Sequence, residues 1–418
     1  MLNPKPRAEL PFRPGDTSPD PGVRRAAEPR SFALRAEALA KPLGSVATPW
    51  PLAWAEIDPE ALISLPPEAA NAQAPLDADL ARKRALIVIP CLNEAGLIAQ
   101  VIARILGDDG LVDPLVLVAD GGSTDGCREI VAEIAARDPR VQLLPNPGRL
   151  QSAGVNLAAG MAEDRPWLVR IDAHADYPKT YVSTLIEEAR RTGAHSVVVA
   201  METWGKGGFQ RAVAAAQNSR LGTGGAAHRI CADAGWVDHG HHALFSRDAF
   251  QRIGGYDESF SHNEDAELDL RLTREGAKIW LTDRTRIVYH PRRTPSALWK
   301  QYVSYGKGRA RTVLKHQTPL KMRQALPLAV APAVLGALAA PLYGPLIVPA
   351  LVWMATALVY GGALSVKERD PTVLLAGPAA MIMHLGWSLG FWMQLGSWLA
   401  RRGRQPAERG LRTASVTQ

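Results

Sequence analysis

Residues 85–94 read ALIVIPCLNE, and residues 115–126 read LVLVADGGSTDG. Each is a short apolar, β-branched run that stops at polar and turn-forming residues, the pattern of a buried strand delivering a loop. In open α/β sheets, loop donors and helix N-termini converge where strands end, so the chemistry is expected just after each run. From residue 84 to residue 318, strand-like runs alternate with helical stretches such as 96–106 and 127–137. That alternation predicts an α/β domain with a Rossmann-like, mostly parallel sheet flanked by helices.

The chain has 418 residues and a formal charge of +7, which by itself permits nucleic acid, an acidic substrate or an anionic membrane as partner. The distribution decides. Arg292, Arg293, Lys300, Lys307, Arg309, Arg311 and Lys315 cluster just before a long apolar region, which favours a membrane surface and argues against nucleic acid. Cys91, Cys127 and Cys231 are far apart and match no zinc or disulfide spacing, so they read as buried thiols in a reducing compartment. Residues 1–80 are proline-rich, with Pro66 and Pro67 adjacent, and read as a weakly ordered extension without chemistry. Short helices at 33–40 or 59–71 are compatible with it, and no apolar segment follows a basic start as in a signal peptide.

Residues 325–366 carry no charged side chain and are interrupted by Pro341, Gly344 and Pro345, which suits two membrane spans of roughly 18–20 residues each. After KERD at 367–370, residues 371–400 are again uncharged, the length of one tilted helix or a re-entrant hairpin. The organisation expected is therefore an extension (1–80), a catalytic domain (84–296), a basic interfacial helix region (297–323), membrane segments (325–400) and a polar basic tail (401–418). In the interfacial region, Leu298, Tyr302 and Tyr305 recur at helical spacing beside Lys300 and Lys307, and Gly306 and Gly308 are expected to bend the chain.

Within the catalytic candidate, Pro90 ends the first strand, and Asn93 and Glu94 stand at a helix mouth, where they contact a nucleotide or cap the helix. Asp120 ends the second strand and fits the imide N–H of a uracil. Ser123 to Asp125 serve either a ligand or the turn. In RIDAHADYP, Asp172, His174 and Asp176 lie two apart, so in extended chain they share one side and suit Mg²⁺ or Mn²⁺ completed by phosphate oxygens. Capping of a strand end is the simpler alternative. His239, His241, His242 and His262 lack the spacing of a zinc pair. Glu264 and Asp265 open an amphipathic helix, where the dipole favours a carboxylate and a general base is expected.

Taken in order, IPCLNE, ADGGSTDG, NPGRLQSAGVNLAAG, RIDAHADYP, GGYDE and NEDAELDLRL resemble the family 2 glycosyltransferases, inverting enzymes of GT-A fold, over residues 84–290. RIDAHADYP, QYVSYGKGRARTV at 301–313 and the apolar C-terminal segments look closest to the succinoglycan-biosynthesis glucosyltransferases of bacterial exopolysaccharide pathways. Two positions depart from the family pattern. Gly121 stands where a second acid is usual, and His174 stands where the Asp-x-Asp motif has its metal-binding acid, with Asp176 a substitute.

The resemblance implies a nucleotide-sugar donor, a UDP-sugar carrying glucose, bound by Pro90, Asn93, Glu94, Asp120, Ser123 and Asp172. It implies Mn²⁺ or Mg²⁺ on Asp172 and on His174 or Asp176, with His290 near the diphosphate or simply buried in its strand. Asp265, with Glu264 beside it, would deprotonate the acceptor. Asp238, His242, Gln301, Tyr305 and Arg309 would line the acceptor and membrane side, facing a polyprenyl-diphosphate-linked sugar. Processive members carry Gln-x-x-Arg-Trp where this chain has Gln301-Tyr302-Val303-Ser304-Tyr305, so one sugar is expected to be added. The implied location is the bacterial inner membrane with a cytoplasmic catalytic domain. The alternatives are a sugar nucleotidylyltransferase, which would need a glycine-rich triphosphate loop that IPCLNE lacks, and a catalytically inactive membrane scaffold, for which His174 is the best argument.

Overall fold

The computed structural model describes residues 78–229, 233–320 and 322–414; the side chains of His242, Arg323 and residues 403–414 lie outside that description. The expectations for residues 1–77, including both short helices, also lie outside it.

Eight strands form one sheet: β1 Arg84–Cys91, β2 Val112–Asp120, β3 Val141–Pro145, β4 Trp167–Arg170, β5 Ser196–Thr203, β6 Gly235–Val237, β7 His241–Ser246 and β8 Ile279–Tyr289. Their order is β3-β2-β1-β4-β7-β5-β8-β6. β3, β2, β1 and β4 are parallel; β7 runs antiparallel between β4 and β5, and β6 antiparallel to β8. β5 and β8 pair in parallel as well, so the expected mostly parallel sheet is present, and the antiparallel β7 and β6 make the whole mixed.

Helices cover both faces, which is why β1 reads as a continuous apolar run rather than an alternating one. Ala85, Ile87 and Ile89 face one core with α1 (Ile98–Leu106) and α4 (Tyr181–Thr192). Leu86 and Val88 face the other with α3 (Gln151–Ala159), α6 (Arg247–Arg252) and α7 (Glu264–Arg274). On α1 the buried residues are Ile98, Val101, Ile102 and Ile105, the i, i+3, i+4, i+7 stripe of an amphipathic helix. α2 (Cys127–Arg137) and α5 (Gly208–Gln217) complete the domain.

The C-terminal part differs from its sequence reading. α8 (Pro295–His316) is continuous through Gly306 and Gly308. These glycines admit neighbouring backbone instead of bending the chain: a Cβ at Gly306 would lie 2.0 Å from the Trp387 carbonyl oxygen, and one at Gly308 2.4 Å from that of His262. The Leu298–Tyr302–Tyr305 stripe faces protein, with Leu298 fully buried, Tyr302 bonded by Gln217, and Tyr305 by Gln301. Residues 325–366 hold one long helix, not two: α9 (Met322–Leu328) and α10 (Val330–Leu338) are short, and α11 is Val348–Glu368. Residues 371–400 run through a 3-10 turn into a single helix, α12 (Ala376–Ala414), rather than a hairpin.

α12 packs along α8 at small residues, where a Cβ on Gly390 would meet the Val303 carbonyl at 2.1 Å. Gly306→Ala and Gly390→Ala should each destabilise the detergent-solubilised chain by about 1–3 kcal/mol through overpacking. Gly362→Ala, with open space around its position, should be neutral or slightly stabilising. Denaturant midpoints of the three variants test this, and an unchanged midpoint for Gly306→Ala would contradict the packing.

Candidate active site

The loops after β1 and β2 are laced together by hydrogen bonds. Asn93, in the left-handed region at φ 59°, donates its N–H to Ser123 Oγ (2.8 Å) and accepts from the Thr124 N–H through Oδ1 (2.9 Å). Asp125 Oδ2 accepts from the Ala95 N–H (2.9 Å). Asp120 is buried, and its carboxylate accepts from the Gly122 and Ser123 N–H groups of its own turn. Of the two readings left open for Ser123 to Asp125, the turn is the one these bonds display.

Beyond β4, Ile171, Ala173, Ala175 and Tyr177 are buried while Asp172, His174 and Asp176 point outward, so the predicted alternation holds past the end of the strand. The Tyr177 hydroxyl anchors the segment on the Asp172 backbone, accepting from its N–H at 2.7 Å. The three outward side chains nevertheless go to different neighbours. Asp172 Oδ2 lies 3.5 Å from His241 Nε2, His174 Nδ1 lies 3.3 Å from Glu94 Oε1, and Asp176 Oδ2 lies 3.2 Å from His290 Nε2. Among the described residues, no group of three or more His, Cys, Asp or Glu side chains is close enough to cage a metal ion. A cation at a diphosphate needs only one or two protein ligands, and Asp172 with the exposed Glu94–His174 pair fits that modest requirement.

Arg170, which sequence reasoning did not select, organises the floor. It is 3% exposed. Its Nη1 donates to Asp265 Oδ1 (2.7 Å) and to the Tyr256 hydroxyl (2.9 Å), and its Nε lies 3.6 Å from Asp172 Oδ1. Tyr256 in turn donates to Asp265 Oδ1 at 2.8 Å. Burial opposes the Arg170 charge, but Asp265, Tyr256 and Asp172 more than offset it and hold the guanidinium well above its ordinary pKa. The Gln151 amide lies between Arg170 and Asp172.

His241 was also missed as a site residue. The antiparallel register Leu168↔Phe245, Val169↔Leu244, continued three residues, sets it opposite Asp172. Burial, with Arg170 nearby, pushes its pKa down to about 4, so it stands neutral against that carboxylate.

α7 begins at Glu264, after Asn263 in the left-handed region. α8 braces this end, because the Asn263 amide donates to Thr312 Oγ1 at 3.0 Å. Asp265 is held by Arg170 and Tyr256 as described. Burial, and then the neighbouring Asp265, push the Glu264 carboxyl up to about 7. Of the residues expected on the acceptor side, Gln301 Nε2 donates to the Tyr289 and Tyr305 hydroxyls (3.0 and 2.9 Å). Asp238 is exposed after β6, and Arg309 is half-buried on α8.

Comparison with known proteins agrees with this geometry. Residues 86–254 match the Glycosyl transferase family 2 profile. Succinoglycan biosynthesis protein ExoA of Rhizobium meliloti (strain 1021) is 52% identical over 318 residues, covering 76% of this chain and 96% of that protein. The solved mannosyltransferase PcManGT from Pyrobaculum calidifontis, in complex with GDP-Man and Mn²⁺, superposes with a TM-score of 0.51 at 19% identity. That match covers 73% of this chain and 86% of the other, a likeness of fold alone.

The raised Glu264 value has a consequence for stability. Relative to its ordinary 4.5, protonated Glu264 supports the fold fully below that pH, and the support is lost as pH rises through about 7. Glu264→Gln keeps the neutral shape. Its melting temperature should exceed that of the parent at about pH 8 and converge on it toward about pH 5. A constant offset across that range would contradict the assignment.

Proposed function

The chain belongs to glycosyl transferase family 2, and from that membership we propose that it moves a single glucose from a UDP-sugar to a polyprenyl-diphosphate-linked sugar in exopolysaccharide synthesis. The observation that carries this reading is 52% identity across nearly the whole length of a relative named for succinoglycan biosynthesis. The uncharged C-terminal helices, with basic residues before and after them, support work at the bacterial inner membrane with the catalytic domain cytoplasmic. As a family 2 glycosyltransferase it is not a nucleotidylyltransferase.

In the proposed reaction the acceptor hydroxyl oxygen attacks the anomeric carbon from the face opposite the diphosphate. The C–O bond to the diphosphate breaks, UDP leaves, and the hydroxyl proton passes to a carboxylate at the start of α7. One displacement inverts the anomeric centre. The β1 and β2 loops, with Pro90, Asn93, Glu94, Asp120 and Ser123, receive the nucleoside. A divalent cation, Mn²⁺ or Mg²⁺, would neutralise the leaving diphosphate, held by Asp172 with His174 or Asp176. Gln301 and Tyr305 stand on the acceptor side with Asp238, His242 and Arg309, and the missing Arg-Trp of the processive motif supports addition of one sugar.

Asp265 is the base on the family pattern. A second reading is favoured by one observation: Arg170 and Tyr256 already occupy the Asp265 carboxylate, whereas the Glu264 carboxyl sits near 7. There Asp265 orients the helix end and Glu264 takes the proton. A positioned carboxylate contributes about 10²- to 10⁴-fold in rate, so the variant that loses that much transfer while still binding UDP-sugar identifies the base. If it is Glu264, the parent rate should also rise with pH and level off above about 7. If Asp265→Asn and Glu264→Gln both retain transfer, the acid pair is not the base.

Transfer should require a divalent cation. Imidazole is a softer ligand than carboxylate, so Mn²⁺ should be preferred and His174→Asp should move the preference toward Mg²⁺. Full turnover in excess EDTA would refute the proposed cation.

A further inference from the structure

Gly344–Glu368 and Pro371–Arg402 are each long and apolar enough to cross a membrane. Their packing points elsewhere. α8 is fastened to the catalytic domain at both ends: Leu298 is fully buried and Gln301 bonds Tyr289 at one, while Lys315 pairs with Asp257 and Glu267 at the other. α12 runs beside α8 in the same direction, Gly386 against Trp299 and Gly390 against Val303. Its first turns belong to the domain itself, because Ala376, Ala379, Ala380 and Met383 are fully buried in a cluster with Val213 and Ala216 of α5. The link between the two long helices is tied down too, through the Arg211–Asp370 ion pair at 2.5 Å.

Length then decides. With residues 376–391 lying on the domain, only 392–402 of the apolar stretch of α12 remain, about 16 Å of helix at ~1.5 Å per residue. That falls well short of a ~30 Å hydrocarbon core. α11 is long enough, but it runs antiparallel along the same part of α12. Gly361 meets Gly377 at one end, and Trp353 Nε1 lies 3.3 Å from His384 Nδ1 further along. The other end of this layer is closed by Ser388 and Trp392, which both donate to the Leu328 carbonyl at the end of α9. A helix parallel to one that lies on the domain surface cannot stand perpendicular to that surface.

The outer side of this layer is apolar. Leu338, Leu342, Val352, Val359 and Val366 are 60–91% exposed, far more than an aqueous surface tolerates as one patch. Exposed Arg292, Arg293 and Lys300 lie at the start of α8, Lys367 and Arg369 at the end of α11, and Arg401 and Arg402 on α12, with Arg402 over the Trp398 ring at 4.3 Å. Basic groups flanking an apolar face fit anionic headgroups around a hydrocarbon surface.

We propose that α10, α11 and α12 form an in-plane layer that enters one leaflet of an anionic bilayer without crossing it. This rests on the membrane association proposed above. The full chain, purified in detergent, is reconstituted with its catalytic domain outside into vesicles whose outer leaflet alone carries brominated lipid. A fluorophore is attached in turn at Leu342→Cys, Leu351→Cys and Val366→Cys, with labelling of the parent chain subtracted. An in-plane layer predicts loss of fluorescence at all three positions. Quenching at one end of α11 with none at the other would show a crossing and overturn the proposal. Failure of the parent chain to float with such vesicles in high salt would instead defeat the membrane association on which it stands.

Discussion

The Arg170 guanidinium, buried between Asp265, Tyr256 and Asp172, is the interaction on which the rest of the site depends. Removing a charge from water is costly unless it is paired and its donors are used, and breaking such a pair leaves the partner charge stranded. Here the pair joins the end of β4 to the first turn of α7, elements 95 residues apart in sequence. It fixes where the acid pair sits relative to the outward-facing Asp172, and in the proposed reaction it would couple the acceptor chemistry to the donor side. The same cation also holds the neighbouring His241 toward its neutral form, second to burial itself.

The sheet and its loops were legible because they are local. A strand buried on both faces must be continuously apolar, and the residues that break it must turn, so β1, β2 and the loops at Asn93 and Asp120 followed from pattern alone. The alternation of Asp172, His174 and Asp176 was legible for the same reason. Where each of those side chains finds a partner was not. Glu94, His241 and His290 reach them from three separate elements, and only the sheet order with its antiparallel β7 brings those elements to one edge. Arg170 escaped notice because it occupies an otherwise apolar strand, WLVR, where a single charge looks like a boundary residue.

The C-terminal third was legible as apolar helices long enough to cross a membrane, but not in how it packs. Hydropathy reports that a segment avoids water, not whether protein or lipid replaces it. Ala376 to Met383 satisfy that demand on α5, and the Leu298–Tyr302–Tyr305 stripe satisfies it against the domain rather than against a bilayer. The composition boundary at residue 325 is therefore not a folding boundary. A chain cut after α8 would leave Val213, Ala216 and Leu298 without the α12 residues that cover them, so solubility gained by losing the apolar helices would be offset by an opened core.

That continuity bears on how a lipid-linked acceptor would meet the acid pair. α8 touches three things at once: α12 through Gly306, the Asn263 cap of α7 through Thr312, and the Tyr289 hydroxyl through Gln301. It is close-packed at Gly306 and Gly308, where neighbouring backbone leaves no room for even a methyl group. Such interfaces transmit displacement rather than absorb it. A bilayer pressing on α10, α11 and α12 would thus fix the height of α8, and with it the position of Glu264 and Asp265 above the lipid surface. In that arrangement the small residues that hydropathy passes over as gaps in an apolar helix would set this distance.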